Sequence, residues 1–249
     1  MNNHAPANLL KLVRKLHLKK YRDRYGLFIV ERLKTIKPYL SNGWQPEYIF
    51  VSDEAQYEIF KNYPVFYVNE REMKKISLFK TPQKVLAVFK MRNFEPLEPK
   101  GLIPLLDYVQ DPGNLGTLAR TADWFGITRM VCSPGSADIY NPKTIQAAMG
   151  ALARIKVYYA DLKQLIKNSR IPVYVADMDG VNLFKTKLPE NLFIILGNEG
   201  HGVSSELKNM ANYRITIPSA PDKISESLNL AMSGGIIFSH WFYLQGFAT

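Results

Sequence analysis

A chain of 249 residues, 47% hydrophobic and 22% charged, can bury one large or two modest cores and lacks the polar bias of a disordered protein. Its formal net charge of +10 points to an anionic partner, nucleic acid first, because the Lys and Arg residues cluster. A lone cysteine, Cys132, and scattered histidines exclude a disulfide framework and imply no metal, and no apolar run reaches the roughly 18 residues of a membrane span.

The opening carries Lys11, Arg14, Lys15, Lys19, Lys20, Arg22 and Arg24 against one acid, Asp23. Leu9, Leu12, Val13 and Leu16 recur at helical spacing, so the stretch reads as an amphipathic helix with a basic face. Such a face could neutralise phosphates, and Lys19, Lys20, Arg22 and Arg24 are its candidate RNA contacts. A solvated surface is the plainer account of the same run. The apolar 27–30 stretch follows with no cleavage-like break, so the chain is expected to keep this segment and to stay in the cytoplasm.

Strands over 28–30, 48–51, 65–68 and 85–89 then alternate with helices over 33–40, 54–61 and 70–77, a small α/β layer without a constellation for chemistry. Pro96, Pro99 and Gly101 break the pattern as a linker does. The expected boundaries are residues 1–92 for an N-terminal domain, 93–101 for the linker and 102–249 for a second domain.

The second domain restarts the alternation. A strand over 102–109 leads to the turn Asp111-Pro112-Gly113, and Asn114 sits where an N-cap belongs, ahead of Leu115, Leu118, Ala119 and Ala122 on one helical face. Arg120 follows Asn114 by nearly two turns, so both could face one cleft; a cap and a surface arginine are the bland alternative. Further strands are expected over 127–132, 155–159, 173–176, 192–196 and 214–218, with a helix over 144–154. In Phe193-Ile194-Ile195-Leu196-Gly197-Asn198-Glu199-Gly200-His201-Gly202 an apolar run stops abruptly at glycines, which lets a ligand approach the backbone at a strand's carboxyl end. A plain turn with Glu199 solvated is equally compatible with that stretch alone. Ser227 and Asn229 lie at the mouth of a last helix, where backbone N–H groups are free. His240, on that helix among apolar neighbours, reads as structural.

Three segments taken together resemble the SpoU family of the SPOUT superfamily, the RNA ribose 2′-O-methyltransferases. Asp111-Pro112-Gly113-Asn114-Leu115-Gly116 with Arg120-Thr121-Ala122 is similar to its first motif, Leu196 through Gly202 to its second, and Ile217-Pro218 with Ser227-Leu228-Asn229-Leu230 to its third. Asn141-Pro142-Lys143 and Met149-Gly150-Ala151 match the family's middle. Lys19-Lys20-Tyr21-Arg22 before Phe28-Ile29-Val30-Glu31 resembles the ribosomal-protein-like substrate-binding domain often fused in front. That domain usually has Glu-Gly where this chain has Glu31-Arg32, a departure that bears on the substrate.

The resemblance implies a parallel α/β sheet with a deep trefoil knot, a homodimer through the C-terminal domain, and S-adenosylmethionine as cofactor. It places Gly197, Ile217 and Leu228 at the cofactor, with Leu196 and Ala176 nearby. It places Arg120, Asn114, Glu199, Ser227 and Asn229 at the reaction, with RNA, ribosomal before transfer, as substrate. A guanidinium seldom gives up its proton, so Arg120 is expected to act as an electrostatic clamp, with Glu199 the reserve base. Two other classes compete. A nicotinamide-dependent oxidoreductase needs Gly-x-Gly-x-x-Gly after a first strand, whereas the loop here is spaced Gly-x-x-Gly-x-Gly. A non-catalytic RNA-binding dimer would keep the fold without the cofactor.

Overall fold

The computed structural model describes residues 3–246. In chain order its first elements are α1 (Ala7–Lys15), α2 (Lys19–Tyr25), β1 (Leu27–Glu31), α3 (Leu33–Ser41), β2 (Pro46–Val51), α4 (Glu54–Phe60), β3 (Val65–Tyr67), α5 (Glu70–Ile76) and β4 (Val85–Lys90). There follow β5 (Leu102–Leu106), α6 (Pro112–Trp124), β6 (Arg129–Cys132), α7 (Pro142–Ala148), β7 (Lys156–Tyr159) and α8 (Leu162–Lys167). The last are β8 (Val173–Asn182), β9 (Leu192–Leu196), α9 (Ser205–Met210), β10 (Tyr213–Thr216) and α10 (Leu230–Leu244). They form two compact units: residues up to Asn93 together with Asp138–Arg154, and Phe94–Ala137 together with the residues from Ile155 on.

The first unit is built on a mixed sheet in the order β1-β4-β2-β3, in which only the β2–β3 pair is parallel. Every residue of β1 is buried, as befits an apolar strand covered on both faces. Val13 and Leu16 from the α1 segment pack with Ile29, Phe50, Ile76 and Val88 in one core. Burying each such side chain contributes roughly 1.5–3 kcal/mol. An aromatic group of Phe28, Tyr39, Trp44 and Phe89 fills the other side, with Tyr39 stacked on Phe89 at 5.2 Å between centroids.

That group explains why Asp138–Arg154 belongs here. Tyr140 packs on Phe28 at 4.6 Å, and the Trp44 indole donates to the Ala153 carbonyl at 3.0 Å. The expected helix over 144–154 is shorter. It ends at Ala148 because Met149 and Gly150 take left-handed backbone, and one 3-10 turn follows at Ala151–Ala153.

The basic opening also departs from expectation, being two helices and not one. Leu18 is extended and breaks the run between α1 and α2. Arg22 then turns inward. It is 2% exposed and donates to the Leu16 and His17 carbonyls, each at 3.0 Å, and to the Asp138 carboxylate at 2.7 Å. No phosphate can reach it, so the expected RNA contact at Arg22 is corrected to a buried strut. Lys19, Lys20 and Arg24 remain exposed.

The second unit carries a wholly parallel sheet in the order β10-β8-β9-β5-β6-β7, the α/β architecture expected of the second domain. Parallel strands must be covered on both faces, and β5 and β9 are buried throughout. β9 enters between β5 and β8, so the strand order reverses beside β5. Ligands of open α/β sheets bind at the carboxyl ends near such a switch. At the edge, β10 runs so close to β8 that a Cβ on Gly180 would stand 2.3 Å from the Ile215 carbonyl carbon, which glycine alone permits. The short helices α8 and α9 were not legible beforehand. Among the described residues no helix is long and apolar enough to cross a membrane.

Candidate active site

Three segments distant in sequence meet at the carboxyl ends of β5, β9 and β10. The first is the start of α6. Asp111, not Asn114, is its cap, because the Asp111 carboxylate accepts from the Asn114 N–H at 2.7 Å and Pro112 supplies the first helical residue. The Asn114 side chain is thereby left free to point along the strand ends.

The second segment is the loop after β9. Asn198 and Gly202 exchange backbone hydrogen bonds of 3.0 and 2.9 Å, closing a tight hairpin-like turn. A Cβ at Gly197 would lie 2.1 Å from the Gly202 carbonyl carbon, so the turn folds back where a side chain would stand. Sequence reasoning missed Asn198 as the organiser. Its side-chain oxygen accepts from the Gly200 N–H at 2.8 Å and its amide donates to the Tyr108 carbonyl at 2.9 Å. An Asn directly after a strand-ending Gly is a signal for such a turn.

The third segment is the start of α10, where Asn229 accepts from the Ala231 N–H at 2.9 Å and caps the helix. Its amide donates to the Asn114 side-chain oxygen at 3.0 Å, and Asn114 donates in turn to the Glu199 carboxylate at 2.7 Å. One amide thus ties all three segments. A hydrogen bond to a carboxylate is stronger than one between neutral groups and fixes the orientation of Glu199.

Beside this chain of contacts lies a cavity of about 540 Å³, a size suited to a cofactor. Ala176, Leu196, Gly197, Ile217 and Leu228 all line it, as do Glu199 and Ser227. Its wall is apolar at Leu196, Ile217 and Leu228, and backbone groups of Gly197 and Gly202 border it without intervening side chains. Lys208 and Asp177, an ion pair at 2.9 Å, line another side and carry no counterpart in the sequence reading. These features fit S-adenosylmethionine, whose adenosine needs an apolar slot with main-chain partners.

Arg120 stands apart from the cavity lining and is exposed. Six residues turn a helix through roughly 600°, which leaves Arg120 about a third of a turn away from Asn114 and not on its face. Among the described residues its guanidinium meets no hydrogen-bond or ionic partner. Asn114, Glu199 and Asn229 are therefore brought together, Ser227 lines the cavity with Glu199, and Arg120 is held on the same helix as Asn114 with its charge available.

Comparison with known proteins bears on both units. The SpoU rRNA Methylase family matches residues 101–239, and the MRM3-like substrate binding domain matches residues 7–87. The 23S rRNA (guanosine(2553)-2′-O)-methyltransferase RlmP of Bacillus subtilis is 31% identical over 233 residues, covering 91% of this chain and 93% of that protein. A TrmH-family protein from Porphyromonas gingivalis superposes with a TM-score of 0.87 at 38% identity, over 95% of this chain and 98% of its own. An AdoMet-bound rRNA methyltransferase from Sinorhizobium meliloti gives 0.85 at 28% identity, over 97% of each chain. With its three motifs joined through Asn114 beside a cofactor-sized cavity, and with more than half its length matched by the family, the chain belongs to the SpoU rRNA Methylase family.

Proposed function

We propose that this protein transfers a methyl group from S-adenosylmethionine to a ribose 2′-hydroxyl of RNA, ribosomal RNA in particular. The observation that carries the reading is the Asn229–Asn114–Glu199 hydrogen-bond chain on the rim of a cavity lined by all five residues expected at the cofactor. The Bacillus subtilis relative, named for a ribosomal RNA site, supports the substrate class.

When bound, S-adenosylmethionine supplies an electrophilic methyl group on a cationic sulfur. The walls at Leu196, Ile217 and Leu228 keep water from that centre, and the main chain at Gly197, Ile217 and Leu228 holds the adenosine and methionine parts, with Ala176 beside them. Arg120 clamps the acceptor ribose and its phosphate and stabilises negative charge on the 2′-oxygen. Glu199, held by Asn114, is the reserve base for the hydroxyl proton, and Ser227 and Asn229 fix the sugar and the loop.

In this reading residues 1–92 bind RNA, with Lys19, Lys20 and Arg24 among the phosphate contacts, 93–101 is a linker, and 102–249, apart from the Asp138–Arg154 stretch that packs into the first unit, performs the transfer. The second unit is knotted by its C-terminal segment and pairs with a second copy, which would cover the exposed Trp124 and Tyr243. The enzyme works in the cytoplasm.

The decisive experiment is Arg120→Ala, assayed for 2′-O-methylation of deproteinised ribosomal RNA and titrated with S-adenosylmethionine. Transfer is expected to vanish while cofactor affinity stays within about twofold, and Arg120→Lys is expected to recover little because a point charge cannot reproduce a planar fork. Near-normal turnover of Arg120→Ala would refute the assignment.

A further inference from the structure

Among the described residues only Arg32, Tyr108 and Met149 are non-glycine residues with left-handed backbone, at φ of 76°, 57° and 51°. Such backbone is unfavourable for a side chain bearing a Cβ and tends to persist where function holds it. Two of the three, Arg32 and Met149, line the same shallow concavity in the first unit, together with Leu78, Phe79 and Gln146. This concavity has no part in the methyl-transfer site.

Arg32 occupies the turn between β1 and α3, where a glycine would meet the backbone demand without strain. Its exposed guanidinium instead lies 4.3 Å from the centre of the Phe79 ring. The loop bearing Phe79 is pinned from beneath. The buried Glu31 carboxylate accepts from the Ser77 hydroxyl at 2.5 Å and the Leu78 N–H at 2.9 Å, and the Phe79 N–H donates to Ser77 Oγ at 3.1 Å. Arg32 and Phe79 therefore present a fixed platform of cation on aromatic, edged by the partly exposed Leu78 and Met149.

The unpaired charge on the segments around it has one sign. The three segments that frame the concavity, 29–37, 77–84 and 141–149, contain Arg32, Lys34, Lys37, Lys80, Lys84 and Lys143 and a single acid, Glu31. Glu31 is buried and already engaged, and Lys84 is paired with Asp53, which leaves Lys34, Lys37, Lys80 and Lys143 exposed. A planar guanidinium on an aromatic ring, within a field of lysines, is what an unpaired nucleotide recognises: the base stacks and the phosphates are neutralised.

We propose that Arg32, backed by Phe79, forms a stacking platform for an unstacked nucleotide of the RNA substrate, with the Gln146 amide at the platform's edge to meet the base. The proposal rests on the RNA methyltransferase reading for its ligand, and adds a specificity-determining site outside the reaction centre.

The test uses the full chain, with deproteinised ribosomal RNA from cells lacking the gene as probe. RNA affinity by filter binding, the KM for RNA in methyl transfer, and S-adenosylmethionine affinity by calorimetry are measured together. Arg32→Gly removes the guanidinium and relieves the backbone, so it is expected to fold at least as well as the parent. Loss of one stacking partner is expected to weaken RNA binding and raise KM about tenfold, with cofactor affinity unchanged. Arg32→Lys should recover only part of that loss, and Phe79→Leu, which keeps apolar bulk, should show a similar one. Unchanged RNA affinity in both Arg32→Gly and Phe79→Leu would overturn the platform. If the parent binds this RNA without methylating it while Arg32→Gly binds more weakly, the platform stands and the catalytic reading fails; if the parent does not bind it, both fail.

Discussion

Asn114 shows how much one side chain can determine. It donates to Glu199 and accepts from Asn229, so truncation leaves two polar groups from two other segments without their partner. These bonds lie near solvent, where each contributes about 0.5–1.5 kcal/mol net, so Asn114→Ala should lower the melting temperature only slightly. If Glu199 takes the hydroxyl proton, the rate should fall far more, on the order of a hundredfold, since small misplacement of a reacting group carries that penalty. Asn114→Asp should be at least as damaging, because it sets a carboxylate against Glu199. Single-turnover methyl transfer alongside thermal melts checks this; equal rates in parent and Asn114→Ala would show that Glu199 needs no such support. At this scale the cavity residues were legible because the motifs name positions, not surroundings. Arg22 was not, because a charge in a basic run looks solvated, and the partner that draws it inward, Asp138, lies far along the chain. The cap of α6 was misassigned for a related reason. Asp111 and Asn114 are both good caps by type, and only the Pro112 that starts the helix decides between them.

Elements add a second level of dependence, visible where α1 and α2 are joined. His17 sits at that break, and its Nε2 lies 2.8 Å from the Ile76 carbonyl at the end of α5. Burial lowers its pKa below the ordinary 6.5, and the nearby Arg14 and Arg22 cations push the same way, while the Ile76 carbonyl opposes them. The folded protein thus favours the neutral ring. Its contribution to stability is fully present above pH 6.5 and is lost as the pH falls from there through the lowered folded value. Melting temperature should therefore drop on acidification across that window, and His17→Gln, which can still donate to the Ile76 carbonyl, should flatten the drop. Parallel curves for the two proteins would place the acid sensitivity elsewhere. The strands and longer helices were legible because their apolar periods are local properties of the chain. The break at Leu18 and the early end of α7 at Met149 were not, since each is imposed by packing that helical periodicity does not encode.

For the whole chain, alternation of strand and helix made two α/β layers readable from sequence, but not which strands become neighbours. Nothing in β9 announces that it will lie between β5 and β8, and nothing in Asp138–Arg154 announces that it joins the N-terminal unit; both follow from contacts between distant segments. Cys132 offers a way to ask whether the second unit, once assembled, opens as a whole. It ends β6, paired with β5 and β7, is wholly buried, and burial raises its thiol pKa to about 12. Neither access nor thiolate is available in the native state, so a disulfide reagent should react only through opening of the sheet. If that opening also dissolves the cavity bounded by β8, β9 and β10, S-adenosylmethionine at about a hundred times its dissociation constant should slow labelling roughly a hundredfold, by mass action on the closed state. Labelling that proceeds at one rate with and without the cofactor would mean that β6 and β7 peel away by themselves, leaving the cofactor cavity intact.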